Sequence, residues 1–300
     1  MSEQADILTQ LSTALTRRVA SANSRIVTIR LSADRHLTGM LWQPEIVVTS
    51  EQSISRGDEF EVITAGGTTT TAKIIGRDPA TNIAALRIVQ PASPAKPVAS
   101  ATQAGALVLA VGANALGYAT ARLGIVNAVE PEWYSSHGGR IDQRIVLDID
   151  LARNEEGGPV FDAAGGLLGM STFGPRRQVL VIPTATIERV VPSLLRDGRI
   201  ARGWLGVALR PVAVPDALGD MAGQPSGLMV MSLSDGGPAA SAGIFAGDIL
   251  LSVDGASTRR MRNLTARLGA DSIGRKVDLR FIRSGEVMSR LATITERPTS

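Results

Sequence analysis

Along residues 5 to 21 the apolar positions Ile7, Leu8, Leu11, Leu15 and Val19 recur every three or four residues with polar ones between them. That is the period of an amphipathic helix. From about residue 24 the period changes. "RIVTIRL", "GMLWQ", "EIVVTS", "DEFEVIT", "TTTAKIIGRD", "NIAALRIV", "ALVLAVG" and "RLGIVNAV" are short β-rich runs parted by turn residues, and "RIVLDID", "GPVFD", "GLLGMSTF" and "QVLVIP" continue the series. So many short strands at such spacing predict an all-β barrel or sandwich. "PTATIERVVPSLLRDGRIARG" (183–203) returns to a helical period, with Ile187, Val190, Val191, Leu194 and Leu195 on one face and Gly198 as its stop.

A second pattern starts at Gly203. "GWLGVALRPV" reads as one strand, and "SGLMVMSLSDGGPAASAGIFAGDILLSVDG" as strand, loop, short helix, strand and turn. Pro238 suits the first position of that helix and Gly243 its end. "TRRMRNLTARLGA" predicts a second helix with Leu264 and Leu268 a turn apart, and "KVDLRFIRSGEVMSRLATIT" a hairpin turning at Ser284-Gly285. The expected organisation is a helix over 1–22, a β-barrel domain over 23–200 and a compact α+β domain over 203–296.

Composition changes this picture little. The 300 residues are 44% hydrophobic and 20% charged, as in a globular chain of two domains. Aromatics are only 3%, so aliphatic side chains must fill the cores. The net charge of +3 is carried almost wholly by arginine, and paired arginines such as Arg17-Arg18, Arg176-Arg177 and Arg259-Arg260 are isolated. No basic stripe points to nucleic acid. There is no cysteine, which excludes disulfides and thiolate chemistry. The start "MSEQADILTQ" lacks a basic segment followed by an apolar one, so no export signal is expected, and no eighteen-residue apolar run predicts a membrane span.

Candidate chemistry gathers in "RNEEGGPVFD" (153–162), where two adjacent acids precede a Gly-Gly-Pro turn. A calcium loop fails there, because Ala152 and Arg153 stand where a ligand and a glycine are needed. Gly112 to Gly117 is no phosphate loop, since Tyr118 and Ala119 replace its Lys and Ser/Thr. Glu155 and Glu156, as neighbours on an extended chain, should point to opposite faces rather than share a proton. His36 and His137, the two histidines, lie in polar turns and read as solvated. No metal or cofactor is expected.

The order barrel, linking helix, small α+β module resembles the HtrA (Deg) family, which joins a chymotrypsin-like double β-barrel to PDZ domains. "GDILLSVDG" after "GPAASAGIFA", "RGWLGV", "VLAVGANALGYATARLGIVNAV" and "VLVIP" are the segments that carry the resemblance, over residues 24 to 296. The family's Thr-x-x-His pattern falls on "VVTSEQSI" and puts Gln52 at the general-base position. Its Asp-Pro-x-Thr-Asp-Leu-Ala pattern falls on "DPATNIA", with Asn82 at the orienting acid. Its Gly-Asn-Ser-Gly-Gly-Pro pattern falls on "NEEGGP", with Glu156 at the nucleophile and Asn154 at the oxyanion-hole glycine.

Gln52 has no usable basicity, and Glu156 would place a charge where negative charge develops, a repulsion of roughly 4 kcal/mol at about 4 Å and an effective dielectric of 20. The resemblance, with all three positions changed, implies a chain that is not an enzyme, a pseudoprotease with no catalytic residue. Gln52 is expected to donate to Glu156 with Asn82 holding Gln52; the alternative is that all three face solvent.

What the resemblance leaves for function is peptide capture. A PDZ-like unit takes a C-terminal or extended peptide as an added strand, and here the implied site is Leu205, Gly206, Val207, Leu264 and Leu268. The alternative is that these apolar residues are only core. Trp204 reads equally as a packing residue or as an anchor. The implied partners are C-terminal or extended peptides, unfolded proteins and active relatives, in a scaffold, regulatory or chaperone-like role. The other readings are a divergent serine-type endopeptidase and a structural subunit joining active relatives. The family is largely periplasmic and bacterial and often trimerises through N-terminal aromatics; residues 1–41 have no Phe, Tyr or Trp, so the trimer is not carried over.

Overall fold

The computed structural model describes residues 2–89 and 99–298, and the side chains from residue 6 onward. The chain divides into two compact units, one of residues 1–133 and 140–200, the other of 134–139 and 201–300. The boundary expected near residue 200 is thus crossed by one short excursion, Tyr134–Gly139, that belongs with the second unit.

In the first unit a helix over Ser2–Asn23 precedes two closed six-stranded barrels. The first barrel runs in the order Ile26–Arg30, His36–Gln43, Ile46–Ser50, Ile83–Ile88, Thr69–Asp78, Glu59–Thr64 and closes onto Ile26–Arg30, all neighbours antiparallel. The second runs Arg144–Asp148, Val179–Pro183, Leu167–Phe173, Pro159–Asp162, Leu107–Ala113, Ala119–Glu130 and closes in the same way. Alternation works as expected: in Glu59–Thr64 the apolar Phe60 and Val62 are buried between exposed Glu59 and Glu61. Each barrel has an interior core, and a third cluster, with Met40, Val48 and Ile83 from one barrel and Val111, Met170 and Ile182 from the other, joins them.

The seam between the barrels is polar as well as apolar. Thr38 Oγ1 donates to the Asn154 carbonyl at 2.8 Å and accepts from Ala113 N–H at 2.9 Å. Gly157 (φ 88°) and Gly158 lie so close to the facing backbone that a Cβ would come within 2.3 Å of the Thr38 carbonyl oxygen and 2.2 Å of the Val111 one. Only glycine fits either place.

The helix read in the stretch 183–203, with Gly198 as its stop, spans Thr184–Asp197, and Gly198 takes the left-handed conformation (φ 71°) and returns its N–H to the Leu194 carbonyl. Its buried face is Ile187, Val190, Val191 and Leu194.

The second unit is a sheet in the order Val207–Ala213, Ser226–Leu233, Ile249–Val253, Lys276–Arg283, Glu286–Thr293, with short helices at Pro238–Ser241 and Met261–Thr265. "GWLGVALRPV" is not one strand: Gly203–Trp204 pairs with Thr295–Glu296, and Gly206 (φ 72°) breaks the run before Val207. The second helix stops at Thr265, short of Leu268. The hairpin turns at Ser284-Gly285, with Arg283 opposite Glu286 and both turn residues at positive φ. Phe281, Leu228, Val253 and Ile294 form the centre of its core.

Candidate functional site

A cavity of about 800 Å³ opens in the first unit, with His36, Gln52 and Ser53 from the first barrel and Asn154, Glu156 and Phe173 from the second on its wall. The three positions singled out in the sequence meet here. Gln52 Nε2 donates to Glu156 Oε1 at 2.7 Å. Asn82 holds Gln52 through the main chain, its Oδ1 accepting from Gln52 N–H at 2.7 Å, while its Nδ2 donates to Thr172 Oγ1 at 2.6 Å. Asn82 is held at φ 58°, a conformation that asparagine tolerates better than most residues.

Glu156 does not face solvent. It is 3% exposed, and its carboxylate also accepts from Ser50 Oγ and Thr172 Oγ1, each at 2.8 Å, from Phe173 N–H at 3.2 Å and from the Ser53 hydroxyl. A buried carboxylate needs such donors to offset lost hydration. Ser50, Ser53 and Thr172 were not legible as members of this cluster, since they lie up to 106 residues from Glu156 along the chain.

Glu155 has different partners from Glu156, but as the last residue of a 3-10 turn, Arg153–Glu155, rather than as its neighbour on an extended strand, and it too is buried, at 2% exposed. It accepts from Arg122 Nε at 3.0 Å, Thr120 Oγ1 at 2.8 Å and Ala152 N–H at 2.9 Å. Its hydrogen bond raises the Arg122 pKa above the ordinary guanidinium value. The loop before the Gly-Gly-Pro turn is therefore pinned by one acid on each side.

The solvated reading of His36 is corrected. The ring is half-buried on the cavity wall, with Asn154 Nδ2 3.0 Å from its Nε2. Burial lowers its pKa, Arg30 adds to that, and a hydrogen bond with the Ala113 backbone opposes it. His137, by contrast, is exposed.

The second unit has its own cavity, about 200 Å³, and the five residues expected to take a peptide all line it: Leu205, Gly206, Val207, Leu264 and Leu268. Leu205 and Leu264 are at the same time core, each 2% exposed. Gly206 is required twice, by its positive φ and because a Cβ would sit 3.2 Å from Gly237 Cα. Trp204 is half-buried, its ring against that glycine. Among the described residues Val207–Ala213 pairs on one side only, with Ser226–Leu233, so its other edge is open to an added strand. Among the described residues the N–H groups of Leu205 and Gly206 donate to no acceptor. His137, Arg202 and Met261 also line the cavity, and sequence reasoning missed them. Among the described residues, no group of His, Cys, Asp and Glu side chains could hold a metal, and no helix is long and apolar enough to cross a membrane.

Residues 37–170 match the model of the trypsin-like peptidase domain, and residues 203–292 match that of the PDZ domain. A probable periplasmic serine endoprotease, DegP-like, of Brucella suis is 34% identical over 263 residues, which are 84% of this chain and 50% of the relative. The corresponding protein of Rhizobium meliloti is 31% identical, over 80% of this chain and 49% of its own length. The chain thus spans about half the length of these relatives. Among solved structures, an HtrA-type protease, AlgW, with a decapeptide superposes with a TM-score of 0.73 at 22% identity, covering 94% of this chain and 98% of that one. A serine endoprotease from Yersinia pestis gives 0.72 at 24%, with the same coverage. These relatives overturn the expectation of a chain that is not an enzyme: they are named serine endoproteases over most of the length compared. Gln52, Asn82 and Glu156 meet in the cleft as described, but a protein without peptidase activity does not follow from them.

Proposed function

The chain belongs to the HtrA family of serine proteases with a PDZ domain, and from that premise we propose that its second unit captures C-terminal or extended peptide segments, of unfolded proteins among others. One observation carries this: the unpaired N–H groups of Leu205 and Gly206 stand at the mouth of an apolar cavity beside an open strand edge. N–H groups left without acceptors favour a carboxylate, a strand edge favours an extended backbone, and Leu264 and Leu268 favour an apolar terminal side chain.

Fluorescence anisotropy with a labelled peptide ending in valine tests it. Amidating the terminus is expected to weaken binding by about tenfold or more, the loss of a charge-assisted hydrogen-bond pair. Equal affinity of the acid and the amide would sink the reading.

A second reading concerns the barrel cleft. Ser53 is the serine on the cavity wall, and its hydroxyl donates to a buried carboxylate, Glu156, which holds it in place beside the cavity. It fits serine-type endopeptidase activity, as in the named relatives. A fluorophosphonate probe together with casein turnover decides it: labelling abolished by Ser53→Ala supports the role of Ser53, while labelling that survives the substitution removes it.

A further inference from the structure

Three arginines on three separate turns converge on the barrel cleft. Arg35 lies just before the strand His36–Gln43, Arg153 opens the turn that leads to Glu156, and Arg177 lies between Leu167–Phe173 and Val179–Pro183. All three are exposed and line the cavity, and none has a carboxylate within ion-pair distance among the described residues. Elsewhere the chain does pair its arginines with acids, as in Arg283 with buried Asp248 at 2.6 Å.

The turn carrying Arg177 is strained. Arg176 and Arg177 occupy the left-handed region at φ 56° and 60°, where glycine would be at ease. That backbone sets the Arg177 guanidinium over the Phe173 ring, 5.3 Å from its centroid, and Phe173 N–H is in turn bonded to Glu156. A cation stacked on an aromatic face loses freedom but keeps its charge and its outward donors. The Glu156 acceptor sites are taken by Ser50, Gln52, Ser53, Thr172 and Phe173, so this buried acid forms no ion pair with the three arginines. Asp34 is the one exposed acid on the wall.

We propose that the cleft selects acidic polypeptide segments, with Arg35, Arg153 and Arg177 receiving the Asp or Glu side chains of an extended chain laid between the barrels. The proposal deepens the view that this protein handles polypeptides, but it concerns a surface other than the Leu205–Val207 turn. Guanidinium forks match carboxylates in pairs of parallel hydrogen bonds, and a cavity of about 800 Å³ is on the scale that holds a short peptide. Three cations around a pocket fit side-chain carboxylates better than they fit a nucleic-acid backbone, which needs a continuous stripe.

The test uses the full chain and labelled peptides acetylated and amidated at their ends, so that no terminal carboxylate is offered. A Glu-bearing peptide is expected to bind about five- to tenfold more tightly than its Gln counterpart at low salt, and the preference should fade towards 1 M salt, where the screening length falls to about 3 Å. Combining Arg35→Gln, Arg153→Gln and Arg177→Gln should erase the preference while leaving capture of a peptide with a free C-terminus unchanged. Arg177→Gly alone removes one charge, relaxes the strained turn and should give part of the loss in a protein whose folding is not at risk. Equal affinities in the unmodified chain, a preference that survives the triple substitution, or tighter arginine-dependent binding of an equally charged oligonucleotide would each overturn the proposal. If instead acidic peptides bind as expected and free C-termini are ignored, the carboxylate-capture reading falls and this one stands.

Discussion

Glu156 shows how one side chain sets its surroundings. Five donors from both barrels end on its carboxylate, so removing it strands several buried polar groups at once. Glu156→Ala is expected to cost about 2–4 kcal/mol in a urea titration, and Glu156→Gln less, since an amide keeps one acceptor. His36 gives a pH dependence of known sign. Its folded pKa lies below the ordinary histidine value, so between the two the unfolded chain takes up a proton that the folded chain refuses. Stability should therefore fall as pH drops from about 6.5 towards the folded pKa and be level above about 6.5. Melting temperatures across that range, compared with those of His36→Gln, will show it if the variant has a flatter profile. The sequence placed Gln52, Asn82 and Glu156 by motif, but it could not show the hydroxyls of Ser50, Ser53 and Thr172 closing on them. Their proximity comes from barrel closure and leaves no local pattern.

Elements were easier to read than their ends. Strands announced themselves by alternation, and the long helix by Ile187, Val190, Val191 and Leu194 on one face. Its stop was legible at Gly198, after which the basic tail "RIARG" leads out of the domain. The structure adds what holds that stop in place. A Cβ on Gly76 would sit 2.6 Å from the Gly198 carbonyl oxygen and 3.0 Å from that of Leu194, so the helix end rests directly on strand Thr69–Asp78. Gly76→Ala should push the helix away at a cost of about 1–3 kcal/mol, an overpacking penalty measurable by chemical denaturation. In the second unit the local pattern of "GWLGVALRPV" reads as one strand, and it is the resemblance that puts a turn at Leu205-Gly206-Val207. The positive φ of Gly206 and the pairing of Gly203–Trp204 with a different strand form that turn, which among the described residues leaves two N–H groups unpaired.

At the scale of the molecule the cores are separate. Met40, Val111 and Ile187 belong to one unit, and Phe281, Leu228 and Leu264 to the other. Residues 201–300 produced alone should fold with a single cooperative transition, weakened slightly by loss of the Arg202 bond to the Gly138 carbonyl. A featureless melt would contradict this. Within the first unit, the side-chain-free contact at Gly157 and Gly158 has a kinetic consequence. Gly157 N–H is tied to the Ser171 carbonyl, and no side chain wedges the two barrels apart there. Its proton can exchange with deuterated solvent only when that bond inside the second barrel breaks, so its exchange rate would time the local opening of this turn against strand Leu167–Phe173.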